Sequence, residues 1–202
     1  MIQIFVKGGP VMWPLLLTSM IALTVVLERL FFVVVERLRR DAEMVERIFT
    51  AVEREGREEA IRVAHASGDY VAKVLTEALV DRESSPANVL VRAANRELKR
   101  FNRGLSVLDT VITLAPLLGL LGTVTGMVRS FSLLGGQELG APAAITGGIA
   151  EALIATAFGL LIAIIALLPF NFLNAKMEDA RHEIEDAASR LDALLSPSPV
   201  EK

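Results

Sequence analysis

The sequence predicts an all-α membrane protein in which three transmembrane helices carry long cytoplasmic helical extensions. Three observations lead there. Charge-free apolar stretches at Gly8–Leu27, Thr110–Val128 and Ala152–Ala175 each approach the ~20 residues that cross ~30 Å of hydrocarbon as helix. The 202-residue chain is 52% apolar with a mean hydropathy of +0.48, yet 22% of it is charged, so the two kinds of residue are segregated along it. The polar segments place their apolar residues at helical spacing, and neither strand-like alternation nor an internal repeat is evident.

The first element, residues 1–35, is expected to be a transmembrane helix with a periplasmic N-terminus. Only Lys7 precedes its apolar stretch, which runs into Glu28-Arg29 without an Ala-x-Ala cleavage pattern, so it reads as a retained anchor, not a cleaved signal. Residues 36–105 form a cytoplasmic helical domain. Its apolar residues Val45, Ile48, Phe49 and Val52, then Val71, Val74, Leu75, Ala78 and Leu79, fall on helix faces. Breaks are signalled at Gly56, at Ser67-Gly68-Asp69 and at Ser84-Ser85-Pro86, where a serine cap and an N1 proline would open a helix running straight into the second span.

Residues 106–131 are the second transmembrane helix, 132–146 a periplasmic hairpin, and 147–175 the third transmembrane helix. Residues 176–202 are a cytoplasmic helical tail, with Ile184, Ala187, Ala188, Leu191, Leu194 and Leu195 at helical spacing. Ser196-Pro197-Ser198-Pro199 stops it, leaving a disordered end. The orientation follows from Lys and Arg near the span ends. Arg29, Arg37, Arg39, Arg40, Arg96, Lys99, Arg100, Arg103, Lys176 and Arg181 mark the cytoplasmic side, against Lys7 and Arg129 opposite. A buried helix of a soluble bundle would carry a polar stripe, which these stretches lack.

A net charge of −3 excludes a phosphate-neutralising nucleic-acid binder, and the absence of cysteine removes disulfides, thiolate metal sites and thiol nucleophiles. No phosphate-binding glycine loop, zinc-protease helix or serine-nucleophile motif is present, so no enzyme activity and no cofactor are expected. His65 and His182 stand alone in polar helices and read as solvated surface.

The candidate functional residues lie in the spans. Gly119, Gly122, Thr123 and Gly126 share one face of the second, which lets a neighbouring backbone approach closely. Ala152, Ala155, Thr156, Gly159 and Ala163 form a matching face on the third. Simple packing accounts for both faces, and a lone threonine can satisfy itself on its own helix. Two hydroxyls on facing small-residue surfaces also fit a polar pore. Glu151 has two readings as well: an acid at a membrane boundary is costly enough to suggest function, whereas an acid just after a helix-breaking Gly147-Gly148 suits the macrodipole. Asp109 and Arg129 read as interfacial charges.

Three segments resemble the MotA/TolQ/ExbB proton-channel family: Gly8-Gly9-Pro10-Val11-Met12-Trp13-Pro14-Leu15 running to Glu28-Arg29, Ala115-Pro116-Leu117-Leu118-Gly119-Leu120-Leu121-Gly122-Thr123-Val124, and Gly148-Ile149-Ala150-Glu151-Ala152-Leu153-Ile154-Ala155-Thr156-Ala157. The resemblance implies a stator in the bacterial inner membrane. Five copies would surround a pore holding the single-span helices of an ExbD- or TolR-like partner, each with an essential aspartate. Thr123 and Thr156 would face that aspartate and the proton path, and Glu151 would be an acid at the periplasmic entrance. Three spans match the ExbB and TolQ branches better than MotA. An ExbB-type chain, the nearer match, would energise outer-membrane transport through TonB; a TolQ-type chain would serve Tol-Pal envelope maintenance through a TolA-like transducer. The family's usual proline nine residues after the third-span threonine is Ile165 here, with Pro169 one turn later, so a kink would be displaced toward the cytoplasm. The rival readings are a non-conducting membrane scaffold and a solute permease subunit.

Overall fold

The computed structural model describes residues 2–134 and 142–195. Within them the chain is helical, with no strand, and it divides into two compact units, Met1–Arg29 with Gly104–Phe172 and Leu30–Arg103 with Leu173–Lys202.

The first unit holds the membrane-spanning helices. α1 (Ile2–Lys7) ends in a Gly8–Val11 turn, closed by the Gly8 N–H on the Phe5 carbonyl (3.2 Å) and the Met12 N–H on the Gly9 carbonyl (3.2 Å). α2 (Met12–Arg39) contributes its residues up to Arg29, α7 (Leu105–Leu134) lies wholly within this unit, and α8 (Pro142–Leu195) contributes up to Phe172. Each of the three contains one of the long apolar stretches. As helix, the 28 residues of α2 extend ~42 Å, more than the hydrocarbon thickness.

Less than a third of each span's most apolar 18-residue window is buried within the chain, the shares being 17%, 28% and 22%. Water would leave a large apolar surface unsatisfied; lipid or neighbouring protein does not. The chain is a membrane protein with three spans. What α7 and α8 bury is a narrow stripe made mostly of small residues: Leu108, Val111, Ala115, Gly119, Gly122, Gly126 and Ser130 on α7, and Ala152, Ala155, Gly159, Ala163 and Ala166 on α8. The three- and four-residue spacing keeps each stripe on one side. Large side chains such as Leu117, Leu121, Leu160 and Ile164 point outward.

The second unit is built from the rest of α2, then α3 (Ala42–Arg54), α4 (Arg57–His65), α5 (Tyr70–Val80), α6 (Pro86–Asn102) and the remainder of α8. α5 is its centre, burying Val71, Val74, Leu75, Ala78 and Leu79 against Ile48 and Phe49 of α3, Val89 and Leu90 of α6, and Ile184 and Leu191 of α8. Asp69 is fully buried and ties three segments. Its carboxylate accepts from the Val71 N–H at 2.7 Å, capping α5, and from the Asp41 N–H (2.7 Å) and Arg40 Nη1 (2.6 Å) at the α2–α3 junction. Glu183 of α8 joins through Arg40 Nε (2.6 Å) and the Tyr70 hydroxyl (2.5 Å). Burial alone would lower the Arg40 pKa, but its bonds to Glu183 and Asp69 outweigh this and hold it above the usual arginine range. Burial, with Glu183 assisting, pushes the Tyr70 hydroxyl well up.

Four features depart from the sequence expectations. α6 does not run on into the second span: it ends at Asn102, and Gly104 at φ +83° turns the chain before α7 starts. A side chain there would be strained and would meet Val25 Cγ1 at 3.0 Å, so glycine explains the break. Ser85 occupies the N-cap of α6 without capping it through its side chain; Asp81 orders that turn instead, accepting from the Glu83 and Ser84 N–H groups at 3.1 and 2.9 Å. Asp41 opens α3 with a cap on the Met44 N–H, a break the sequence reading passed over. Gly147 and Gly148 do not break a helix but lie inside α8, which continues unbroken through Pro169 to Leu195. Residues 135–141 of the expected hairpin and the tail from Ser196 onward lie outside the described residues.

Candidate functional site

The seam between α7 and α8 is backbone against backbone. A Cβ on Gly159 would lie 2.5 Å from the Ala115 carbonyl oxygen and 3.1 Å from Gly119 Cα. On Gly119 it would lie 3.0 Å from Thr156 Cα, on Gly122 2.5 Å from Ala155 Cβ, and on Gly126 2.9 Å from the Gly148 carbonyl oxygen. Any side chain here would force the helices apart, so glycine sets the distance between them. Gly148 shares in this: a Cβ on it would run into Ser130 Oγ, which accounts for a glycine in mid-helix despite its propensity cost of ~1 kcal/mol.

That closeness brings the Thr156 hydroxyl within reach of the other helix. It donates to the Gly119 carbonyl across the seam at 2.9 Å, sharing the proton more weakly with its own Ala152 carbonyl at 3.3 Å. Self-satisfaction along the helix is therefore the lesser of its two bonds. Thr123 sits one turn from Gly119, half-buried, and donates to the Leu120 carbonyl of its own helix at 2.6 Å. The two hydroxyls thus flank the same stretch of α7 but serve different carbonyls, one fastening the seam and the other leaving it untouched.

Glu151 lies at the Arg129 end of this seam. It is nine residues inside α8, beyond the first turn where the macrodipole acts, so that explanation for the acid fails. Its partners are spatial: Arg129 of α7, at 3.7 Å, and the backbone of Gly9, against which its side chain is packed. The side chain is 20% exposed, whereas that of Arg129 is 67% exposed. Asp109 is exposed near the other end of α7, and its backbone carbonyl accepts from the Thr113 hydroxyl at 3.1 Å. His65 and His182 are exposed, and no cluster able to hold a metal ion occurs among the described residues.

Sequence reasoning had not joined Gly9 or Arg129 to Glu151, nor singled out Ser130. Gly8-Gly9 before Pro10 was a visible turn signal, but its contact is with a residue more than a hundred positions away. Ser130 is buried and donates to the Gly126 carbonyl at 3.0 Å, beside Gly148.

Comparison with known proteins supplies the context for this seam. The model of the MotA/TolQ/ExbB proton channel family matches residues 62–186. A Synechocystis sp. protein named putative biopolymer transport protein ExbB-like 1 is 41% identical over 177 residues, covering 84% of this chain and 68% of that protein. The biopolymer transport protein ExbB of Neisseria gonorrhoeae is 37% identical over 98 residues, 48% of this chain and 44% of its own length. The Tol-Pal system protein TolQ of Haemophilus influenzae is 40% identical over 85 residues, 42% of this chain and 37% of its own length. With more than half its length matched by the family model and a relative 41% identical over 68% of that protein's length, the chain belongs to the MotA/TolQ/ExbB proton channel family.

Proposed function

We propose that this chain is the stator subunit of an inner-membrane motor of the ExbB type, in which protons pass Thr123 and Thr156 driven by the proton-motive force. The observation that carries the reading is the Thr156 hydroxyl held across a glycine seam on the Gly119 carbonyl, with Thr123 one turn further along α7. Among the described residues the fully buried acids, Glu36 and Asp69, belong to the second unit, and Glu151 stands near one end of the seam; this supports the reading that the carboxylate cycling within the membrane comes from an ExbD- or TolR-like single-span partner. Charge on such a group is expensive in an apolar site, and neutralising it changes which neighbours it prefers. The outward apolar faces of the spans leave room for further copies, a homo-oligomer with the pentamer as the expected number, and for lipid. Glu151 stands at the periplasmic entrance. The motion would pass to a TonB-like transducer for outer-membrane transport; Tol-Pal envelope maintenance through a TolA-like transducer is the alternative within the family.

The two threonines call for different tests. Thr123→Val removes a hydroxyl bonded only within its own helix, so assembly should persist while proton-driven function falls at least tenfold. Thr156→Val also breaks the interhelical bond, so Thr156→Ser, which keeps it, is the control expected to retain function. Membrane level and partner co-purification are measured alongside. Full activity of Thr123→Val and Thr156→Val, singly and together, would hand the lead to the scaffold reading.

A further inference from the structure

Among the described residues three glycines adopt a positive φ, and one of them lies in the Gly8–Val11 turn. Gly9 has φ +74°, immediately before a proline that restricts it further. The space a side chain would occupy there is already filled: a Cβ on Gly9 would overlap Glu151 Oε1 and lie 2.6 Å from Glu151 Cδ and 2.9 Å from its Cγ. The carboxylate therefore occupies the space in which a side chain at position 9 would begin, with Arg129 at 3.7 Å. Gly56 offers a contrast, with φ +96° and nothing within 4 Å. Both glycines answer to backbone geometry, but only Gly9 also answers to another residue's side chain.

We infer that Gly9 is a positioning residue for Glu151: its missing side chain forms the seat that fixes where the carboxylate stands. The consequence for proton entry rests on the proposed role of Glu151; the seat itself does not. Any side chain at position 9 expels the carboxylate from the turn toward solvent or lipid and away from its present approach to Arg129.

The seat is tested by the rate at which a hydrophobic carbodiimide modifies Glu151, read by mass spectrometry on the full chain in nanodiscs. Gly9→Ala is expected to raise that rate several-fold and Gly56→Ala to leave it unchanged. Since alanine at φ +74° is strained, Gly9→Asn is run in parallel: asparagine tolerates this backbone region but fills the same space, so it should act as Gly9→Ala does. Wild-type labelling in folded Gly9→Asn would overturn the inference. In the complete complex, Gly9→Ala should lower proton-driven activity, and Glu151→Asp in that background should restore part of it, because a carboxylate one methylene shorter clears the added carbon. A glycine needed only for its backbone would give no such rescue. If labelling rises as expected while Glu151→Gln retains full activity, the seat stands and the role of Glu151 in proton entry falls.

Discussion

The glycine seam makes a quantitative demand on the stability of the membrane unit. In Gly159→Ala the new carbon would begin 2.5 Å from the Ala115 carbonyl oxygen, a backbone atom that cannot rotate away. Close C···O contacts settle at ~3.3–3.6 Å, so α7 and α8 must part by about 1 Å. The same movement carries the Thr156–Gly119 bond from 2.9 Å beyond the limit at which it counts as a hydrogen bond. Overpacking costs ~1–3 kcal/mol and the lost interhelical bond ~1 kcal/mol, against a gain of ~1 kcal/mol from replacing a helical glycine. The net expectation is a loss of about 2 kcal/mol. Gly147→Ala on the same helix has nothing within 4 Å of its new carbon and should gain up to about 1 kcal/mol. Reversible unfolding in mixed micelles, followed by circular dichroism, measures both. The reasoning fails if Gly159→Ala is as stable as the parent while Gly147→Ala behaves as expected.

Two further expectations concern the second unit. Glu36 is buried, with one carboxylate oxygen on Arg100 Nη2 at 3.0 Å and the other without a partner, so Arg100→Met should cost about 2–3 kcal/mol by stranding the charge. Adding Glu36→Met should recover most of that in thermal unfolding; a double variant as unstable as the single would refute it. Tyr70, the one tyrosine of the chain, has its pKa raised by burial and by its bond to Glu183, so the fold favours the neutral phenol. Its contribution is whole below the unfolded tyrosine value of ~10 and is lost as pH climbs through the folded value. The stability gap between the parent and Tyr70→Phe, ~1.5–3 kcal/mol for a bond to a carboxylate, should therefore narrow above about pH 10 in alkaline unfolding curves. A gap that stayed constant would count against the bond.

The helical class and the three spans were readable because they depend on runs of residues: twenty without charge, or apolar ones every third and fourth place. The stripe Gly119, Gly122, Gly126 could be read in the same way, since its spacing alone puts it on one face. What spacing could not supply was the partner. That Thr156 reaches Gly119, that Glu151 rests on Gly9, and that Asp69 gathers Arg40 and Asp41 all depend on which distant segments meet. Local signals also misled where tertiary contact overruled them. Gly147-Gly148 signalled a break, but α8 runs through both with Gly148 in close contact with α7, and Gly104 ended a helix expected to continue because the chain needs φ +83° at that point.

The direction of the threonine bonds has a chemical consequence of its own. Each hydroxyl owns one hydrogen, and in both Thr123 and Thr156 that hydrogen is already committed to a backbone carbonyl. What either oxygen still offers an approaching group is its lone pairs, so it can receive a hydrogen bond without disturbing the helices but can give one only by breaking the bond it has. A neutral carboxylic acid, a water molecule or a hydrated proton brings a hydrogen and is welcomed; a bare carboxylate meets electron density on both sides. If the proposed proton path runs past them, two side chains without charge, fixed by their hydrogen bonds to backbone carbonyls, would favour the protonated over the deprotonated form of a group that approaches.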